Sequence, residues 1–173
     1  MMETEVKIRI QDIDTTIKKI LQHGAQLTKE RYLEENTLYD FPSRLLISKR
    51  QAIRLRKANR KAFLAFKGTP QKSRKFKIRD EFETEVKNER QTKKILKSLG
   101  LVPCFSYKKH RRIFRKKRLK ICMDETPIGN FLELEGERED IVRIAEALGF
   151  SKREFIKSDY IQLMKKAEKR KKE

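Results

Sequence analysis

The chain has 173 residues, 45 Lys and Arg against 25 Asp and Glu, a formal net charge of +20, and 37% hydrophobic residues. That length holds one domain with a sizeable core and crowds two, and the strict patterning of its apolar residues argues against wholesale disorder. With no apolar run approaching the about 18 residues of a membrane span, no apolar core in the opening MMETEVKIRI, and Cys104 and Cys122 expected as reduced thiols, a soluble, cytoplasmic protein with polyanionic partners is expected.

Glu3 to Ile10 alternates strictly, with Glu3, Glu5, Lys7 and Arg9 on one face and Thr4, Val6, Ile8 and Ile10 on the other, which is strand periodicity. Asp12-Ile13-Asp14 offers an N-cap to a helix carrying Ile13, Ile17, Ile20 and Leu21 on one side and stopping at Gly24. Strands are expected over 27–39, 50–58 and 61–67. The order then repeats. Residues 77–87 alternate, 89–99 place Ile95, Leu96 and Leu99 at helical spacing before Gly100, and strands return near 102–115, 118–124 and 130–137. A further helix over about 138–148 ends at Gly149. Residues 165–173 read as a solvated basic tail, a frayed helix or disorder, outside a domain of residues 1–164. The pentapeptide ETEVK opens the first unit at Glu3–Lys7 and recurs at Glu83–Lys87. Two similar halves of this kind predict an antiparallel sheet, closed or nearly closed.

Nearly every strand also has a charged face. Arg79, Glu81, Glu83, Glu85 and Lys87 oppose Ile78, Phe82 and Val86; Arg54 and Arg56 oppose Ile53 and Leu55; Lys67 opposes Leu64 and Phe66. Lys109 and Arg111 share a face, as do Lys120, Cys122 and Asp124, and Glu133 and Glu135 oppose Leu132 and Leu134. One reading is an ordinary sheet with its charged face in water. The other is a closed barrel with charges inward and helices packed outside, its interior sized for side chains or one small ligand. Buried charges must be paired or ion-bound, so that interior implies a highly charged ligand with metal. From Arg44 to Arg79 there are fourteen Lys or Arg and no acid, and from Ser106 to Lys120 nine and none. Acids gather at Glu3/Glu5, Glu81/Glu83/Glu85, Asp124 and Glu133/Glu135. Basic walls of this kind take phosphate oxygens, and carboxylates hold Mg²⁺ or Mn²⁺.

Glu3-x-Glu5-x-Lys7 resembles the ExExK signature of the CYTH family, the triphosphate tunnel enzymes, which include class IV adenylyl cyclases, thiamine triphosphatases and inorganic tripolyphosphatases. The resemblance continues in order through Asn36-Thr37-Leu38-Tyr39-Asp40, Ile53-Arg54-Leu55-Arg56, Phe66-Lys67-Gly68, Arg79-x-Glu81-x-Glu83, Lys109-His110-Arg111, Met123-Asp124-Glu125 and Gly129-Asn130-Phe131-Leu132-Glu133-Leu134-Glu135, covering residues 1–163. It implies an α+β fold with a closed eight-stranded antiparallel β-barrel forming a tunnel. Carried over by motif, Lys7, Arg54, Arg56, Lys67, Lys109 and Arg111 bind triphosphate, with Arg79 added to them. Glu3, Glu5, Asp124, Glu133 and Glu135 become metal-site residues, supported by Glu81 and Glu83, and Glu3, Glu5 and Lys7 the catalytic trio. The family often has Asp where Asn130 stands. The second ETEVK matches the family pattern at Glu83 but not at Glu85 and Lys87, so it reads as an echo of the first.

The resemblance implies a Mg²⁺- or Mn²⁺-dependent enzyme acting on tripolyphosphate, ATP or thiamine triphosphate. Hydrolysis is favoured, since no base- and ribose-recognition residues stand out; a class IV adenylyl cyclase is the alternative. A nucleic-acid- or polyphosphate-binding protein without turnover is the reading from another class. The chain lacks an RNP-type aromatic motif and a helix-turn-helix pattern, so only weak, non-specific RNA binding is expected. No membrane partner is expected, and a homodimer is left open. Walker A, HExxH, CxxC and GxSxG motifs are absent from the sequence. His110, out of phase with Lys109 and Arg111, is expected outside the tunnel, and Tyr39 and Tyr160 are expected to pack.

Overall fold

The computed structural model describes residues 2–170; Lys171–Glu173 of the basic tail lie outside the described residues. The alternating N-terminal segment is β1 (Met2–Ile10), followed by α1 (Ile13–Gln22), β2 (Gln26–Asp40), the single-turn α2 (Leu45–Ser48), β3 (Ala52–Ala58) and β4 (Lys61–Lys67). The second half runs β5 (Lys77–Val86), α3 (Glu89–Ser98), β6 (Val102–Lys116), β7 (Leu119–Thr126) and β8 (Gly129–Glu135). Then come α4 (Arg138–Ala147), a 3-10 turn (Lys152–Glu154) and α5 (Tyr160–Arg170). Among the described residues, eight strands close into an antiparallel barrel in the order β1-β5-β4-β3-β2-β6-β7-β8, and β8 returns to β1 with Glu133 opposite Lys7. The fold is therefore the expected α+β barrel with helices outside and two similar halves.

The duplication extends to capping. The Asp12 side chain accepts from Thr15 N at 3.0 Å at the start of α1, and Asn88 accepts from Gln91 N at 3.0 Å at the start of α3. Each helix buries a Thr and one aliphatic residue a turn later, Thr16 with Ile20 and Thr92 with Leu96. Each ends at a glycine with positive φ, Gly24 at 79° and Gly100 at 84°, a conformation that costs other residues dearly. The sequence did not announce α2. Asp40, 1% exposed, accepts from the backbone N–H groups of Phe41, Leu46 and Ile47 at 2.7, 2.9 and 3.0 Å and so fixes this turn from outside it.

The chain divides into two compact units, and the apolar core divides with it. In the unit built on Tyr32–Lys72 and Ile78–Lys109, Tyr39 and Leu55 of the strands pack with Leu46, Leu96 and Leu101. In the unit built on Thr4–Arg31, Ser73–Lys77 and the chain from His110, Val6, Ile8, Ile121, Met123, Leu132 and Leu134 pack against Ile20 of α1 and Ile141, Ile144 and Ala145 of α4. Those strand residues are the apolar face of the alternation. The helices take the outer surface of the barrel, so the charged face turns inward. Glu5, Lys7, Arg111, Asp124 and Glu133 are all buried, as are Lys67, Arg79 and Lys109. The ordinary sheet with its charges in water is thereby excluded. Among the described residues no helix is long and apolar enough to cross a membrane.

A charged barrel interior as candidate active site

In the second unit, β1 and β8 present Glu5, Lys7 and Glu133 from neighbouring strands. The Lys7 Nζ lies 3.0 Å from Glu5 Oε1 and 3.1 Å from Glu133 Oε2. Burial pulls the Lys7 pKa down, but the Glu5 and Glu133 carboxylates more than offset it, so Lys7 is held above its ordinary value and stays an ammonium. On β6, the Arg111 Nε and Nη2 donate to both oxygens of Asp124 at 2.6 Å each, and Nη2 also donates to Glu133 Oε1 at 2.7 Å. This fork geometry suits a guanidinium. The Tyr160 hydroxyl donates to Asp124 Oδ2 at 2.6 Å, and its ring lies edge-on to Phe131 and 5.1 Å from the Lys7 Nζ. Burial first, then the charges of Asp124 and Glu133, raise the Tyr160 pKa, so it remains a donor. Lys77 Nζ sits 3.6 Å from Glu5 Oε1 and 3.6 Å from Asp159 Oδ2. Lys120 pairs with Glu135 at 2.7 Å.

The first unit has its own constellation. Lys67 of β4 pairs with Glu81 of β5 and with Glu3 at 3.4 Å. Arg54 pairs with Glu81 at 3.3 Å and Glu83 at 3.0 Å, and Arg56 with Glu83 at 2.6 Å and Glu34 at 3.5 Å. Lys109 lies 3.5 Å from Glu34. Burial lowers the Arg54 pKa, but Tyr107, Glu81 and Glu83 together raise it past its ordinary value. The Glu81 carboxyl, pushed up by burial, is held well below its usual range by a hydrogen bond with Glu3 and by Lys67 and Arg54. Donors still outnumber acceptors. Among the described residues the buried Nε of Arg54, of Arg56 and of Arg79 has no hydrogen-bond partner, and neither Asn36 Oδ1 nor Nδ2 has one.

The two ETEVK copies have unlike surroundings. Glu5 and Lys7 are 4% and 3% exposed, whereas Glu85 and Lys87 are exposed and Glu85 pairs with Lys61 at 3.0 Å. His110 lies in register with Glu125, out of phase with Lys109 and Arg111. Tyr39 packs in the apolar core. Tyr160 does more than pack, because its hydroxyl fixes Asp124. Four further residues escaped the sequence reading: the buried Lys77, Glu34 and Asn36, and the partly exposed Asp159 that pairs with Lys77. Lys77 has the parity of Arg79 and Glu81, and Glu34 and Asn36 alternate with Leu33 and Glu35, so strand phase alone could have found three of them.

Among the described residues, no three His, Cys, Asp or Glu side chains gather where they could hold a metal ion by themselves. The carboxylates instead face cations, and between Glu5 and Glu133 that cation is the Lys7 ammonium. Asp124 is engaged by three short hydrogen bonds. A pair of hard oxygen donors on adjacent strands fits Mg²⁺ or Mn²⁺, which bind through one or two carboxylates together with substrate phosphates rather than in an all-protein cage.

A Methanocaldococcus jannaschii protein provisionally named an adenylate cyclase is 26% identical over 174 residues, which cover 94% of this chain and 98% of that one. A solved Vibrio parahaemolyticus structure, described with the same provisional name, superposes with a TM-score of 0.85 at 21% identity, covering 95% of this chain and 98% of its own. A Hippeastrum structure superposes with a TM-score of 0.67 at 17% identity, covering 95% and 96%; it is described as a provisional adenylyl cyclase with a dominant triphosphatase activity. These solved structures share the barrel fold. The CYTH domain profile matches residues 1–167, and with the closed barrel this places the chain in the CYTH domain family.

Proposed function

We propose that this protein is a metal-dependent enzyme that binds a triphosphate inside the barrel and hydrolyses a phosphoanhydride bond. The supporting observation is the excess of donors: three buried guanidinium Nε–H groups, on Arg54, Arg56 and Arg79, lack acceptors. A buried donor left unmade costs about 1–3 kcal/mol, and a phosphate oxygen restores it with a charge-assisted bond. Lys67 and Lys109 extend the cationic lining of the first unit, and Lys7, Arg111 and Lys77 line the second. Phosphoryl transfer needs chiefly positioning and charge neutralisation, which fixed guanidinium and ammonium groups supply.

In this reading Lys7 neutralises phosphate charge and does not act as a base, since its pKa is raised. Asp124, gripped by Arg111 and Tyr160, sets the direction of the Arg111 guanidinium. Glu5 and Glu133, with Glu135 opposite Glu5 on β8 and Glu3 two residues earlier in the chain, are the carboxylates that would hold Mg²⁺ or Mn²⁺, and such an ion would supply Lewis acidity toward the phosphates. Water attacks the terminal phosphorus in line, the bond to the bridging oxygen breaks, and orthophosphate and a diphosphate leave. The dominant activity described for the Hippeastrum protein supports hydrolysis.

The names carried by the Methanocaldococcus and Vibrio proteins favour a second reading, in which the ribose 3′-hydroxyl of ATP attacks the α-phosphorus and pyrophosphate leaves. Product analysis decides. The purified protein is given tripolyphosphate, ATP and thiamine triphosphate with Mg²⁺ or Mn²⁺, beside Glu5→Ala and Lys7→Ala. Orthophosphate release lost in both variants establishes a triphosphatase. Cyclic AMP with pyrophosphate establishes a cyclase. Turnover that survives both changes, or its absence with all three substrates, overturns the catalytic reading.

A further inference from the structure

Among the described residues, eight of the ten exposed large hydrophobic side chains belong to the first unit. Five of them stand on α2 and around the end of α3: Leu45, Ile47, Ile95, Leu99 and Val102, each 41–64% exposed. The two helices rest on one apolar cluster through Leu46 and Leu96, and the Phe41 ring lies against Gly100, between Leu99 and Val102 in the chain. From the sequence, Ile95, Leu96 and Leu99 read as one stripe, yet only Leu96 is buried. The duplicated helix shows that the fold does not need apolar residues here. Counted from the equivalent caps Asp12 and Asn88, Ile95, Leu99 and Val102 stand where the first half has Lys19, His23 and Gln26, which are exposed as well.

The charge beside these residues has one sign. Residues 41–79 and 90–123 contain no Asp or Glu. Arg44, Lys49, Arg50, Lys94 and Lys97 are exposed, and among the described residues none of them pairs with a carboxylate. Arg44 and Arg50 stand at either end of α2 with φ of 57° and 58°, a conformation that Gly or Asn adopts more easily, so the chain places a guanidinium there against its backbone preference. Exposed aliphatic side chains with only cations beside them fit a surface that is both apolar and negatively charged. Two copies of this chain, each at +20, would meet there like charge to like charge. Nucleic acid offers phosphates and nothing for the aliphatic residues. Protein partners are anchored largely by aromatic side chains, and none of the five is aromatic. An anionic bilayer supplies both, headgroup phosphates for the cations and acyl chains for the aliphatic residues.

We propose that this face of the first unit binds the surface of an anionic membrane, with Leu45, Ile47, Ile95 and Leu99 in the bilayer interface and Arg44, Arg50, Lys94 and Lys97 at the headgroups. The protein lies on such a membrane and does not cross it, in keeping with helices that, among the described residues, are too short and too polar to span. The barrel interior takes no part, so the inference stands apart from the triphosphate reading. The sequence leads one to expect no membrane partner, because the exposure of Ile95 and Leu99 is decided by how α3 is seated.

Co-sedimentation of the full-length protein with vesicles tests it, using equimolar phosphatidylglycerol and phosphatidylcholine beside phosphatidylcholine alone. The deciding comparison is wild type against the double variant Ile95→Gln, Leu99→Gln, which leaves the net charge unchanged. Wild type is expected to bind the mixed vesicles at least about 10-fold more tightly than phosphatidylcholine alone. The double substitution is expected to weaken that binding about 10- to 100-fold, while its melting temperature stays with wild type, since both side chains are exposed. If that variant does not fold, Leu45→Gln with Ile47→Gln decides in its place. Failure of wild type to bind the mixed vesicles overturns the inference. Binding that survives the substitutions also overturns it, because adhesion by net charge alone would explain it. Without vesicle binding, protein dimers that the substitutions dissociate would assign the face to a second copy. A complex with single-stranded RNA or with an acidic amphipathic peptide that the substitutions abolish would assign it to that partner, and either result overturns the membrane reading.

Discussion

Arg79 is 6% exposed and its Nε has no partner among the described residues, so the ligand-free protein carries the cost of a buried guanidinium that is not fully bonded. Arg79→Met should therefore leave the melting temperature equal or higher. Where the guanidinium meets developing phosphate charge, its removal should lower kcat/KM about 10²- to 10³-fold. Thermal unfolding beside steady-state kinetics checks both halves, and a fall in stability with activity intact would make Arg79 structural. Lys7 predicts the opposite. It stands between Glu5 and Glu133, so Lys7→Met removes the cation they share and leaves Glu5 to Lys77 and Glu133 to Arg111. Breaking a buried pair costs about 3–5 kcal/mol, roughly 6–20 °C in a chain of this size. Thermal unfolding of the variant beside wild type checks it; a melting temperature within about 2 °C of wild type would show that Lys77 and Arg111 satisfy both carboxylates without it.

At the scale of the element, α1 and α3 share one construction, with Asp12 and Asn88 in equivalent capping positions. Asn88→Ala should cost about 1 kcal/mol, seen as a fall of roughly 2–4 °C in the melting temperature. The strands and these two helices were legible because each states its own period: β1 alternates from Glu3 to Ile10, and the helices carry a cap, an apolar stripe and a closing glycine. What escaped was non-local. Nothing periodic marks Leu45–Ser48; that turn exists because Asp40, buried at the end of β2, collects three of its neighbourhood's backbone N–H groups. Tyr160 escaped for the same reason, since its role depends on Asp124, 36 residues away in the chain. Lys77 and Asn36 were within reach of strand phase. A lone Lys before an alternating run and an Asn in a hydrophilic strand look like surface until burial is known.

For the molecule as a whole, the interior is a set of opposed charges that only partly satisfy one another. Tripolyphosphate should then stabilise it strongly: a ligand bound to the native state alone adds about 2.7 kcal/mol at 100 times its Kd, some 5–10 °C for a chain of this length. A melting temperature unmoved by tripolyphosphate in Mg²⁺ would argue against the triphosphate site. Acid should act in the other direction. Burial raises the Glu81 pKa, but Glu3, Lys67 and Arg54 draw it below its ordinary value, so the unfolded chain binds that proton more tightly than the folded protein does. This share of the stability is present above a pH of about 4.3 and declines as the pH falls below it. Chemical denaturation at stepped pH should show that decline, steeper in wild type than in Glu81→Gln.

Cys122 lies on the inward face of β7 opposite Glu133, with no exposed surface, and burial pushes its thiol pKa up to about 12. Cys104 is on the surface. The protein thus carries a clock and its reference. A thiol reagent marks Cys104 at once, while Cys122 reacts only during the moments when the strands around it part, so its labelling half-time counts those openings.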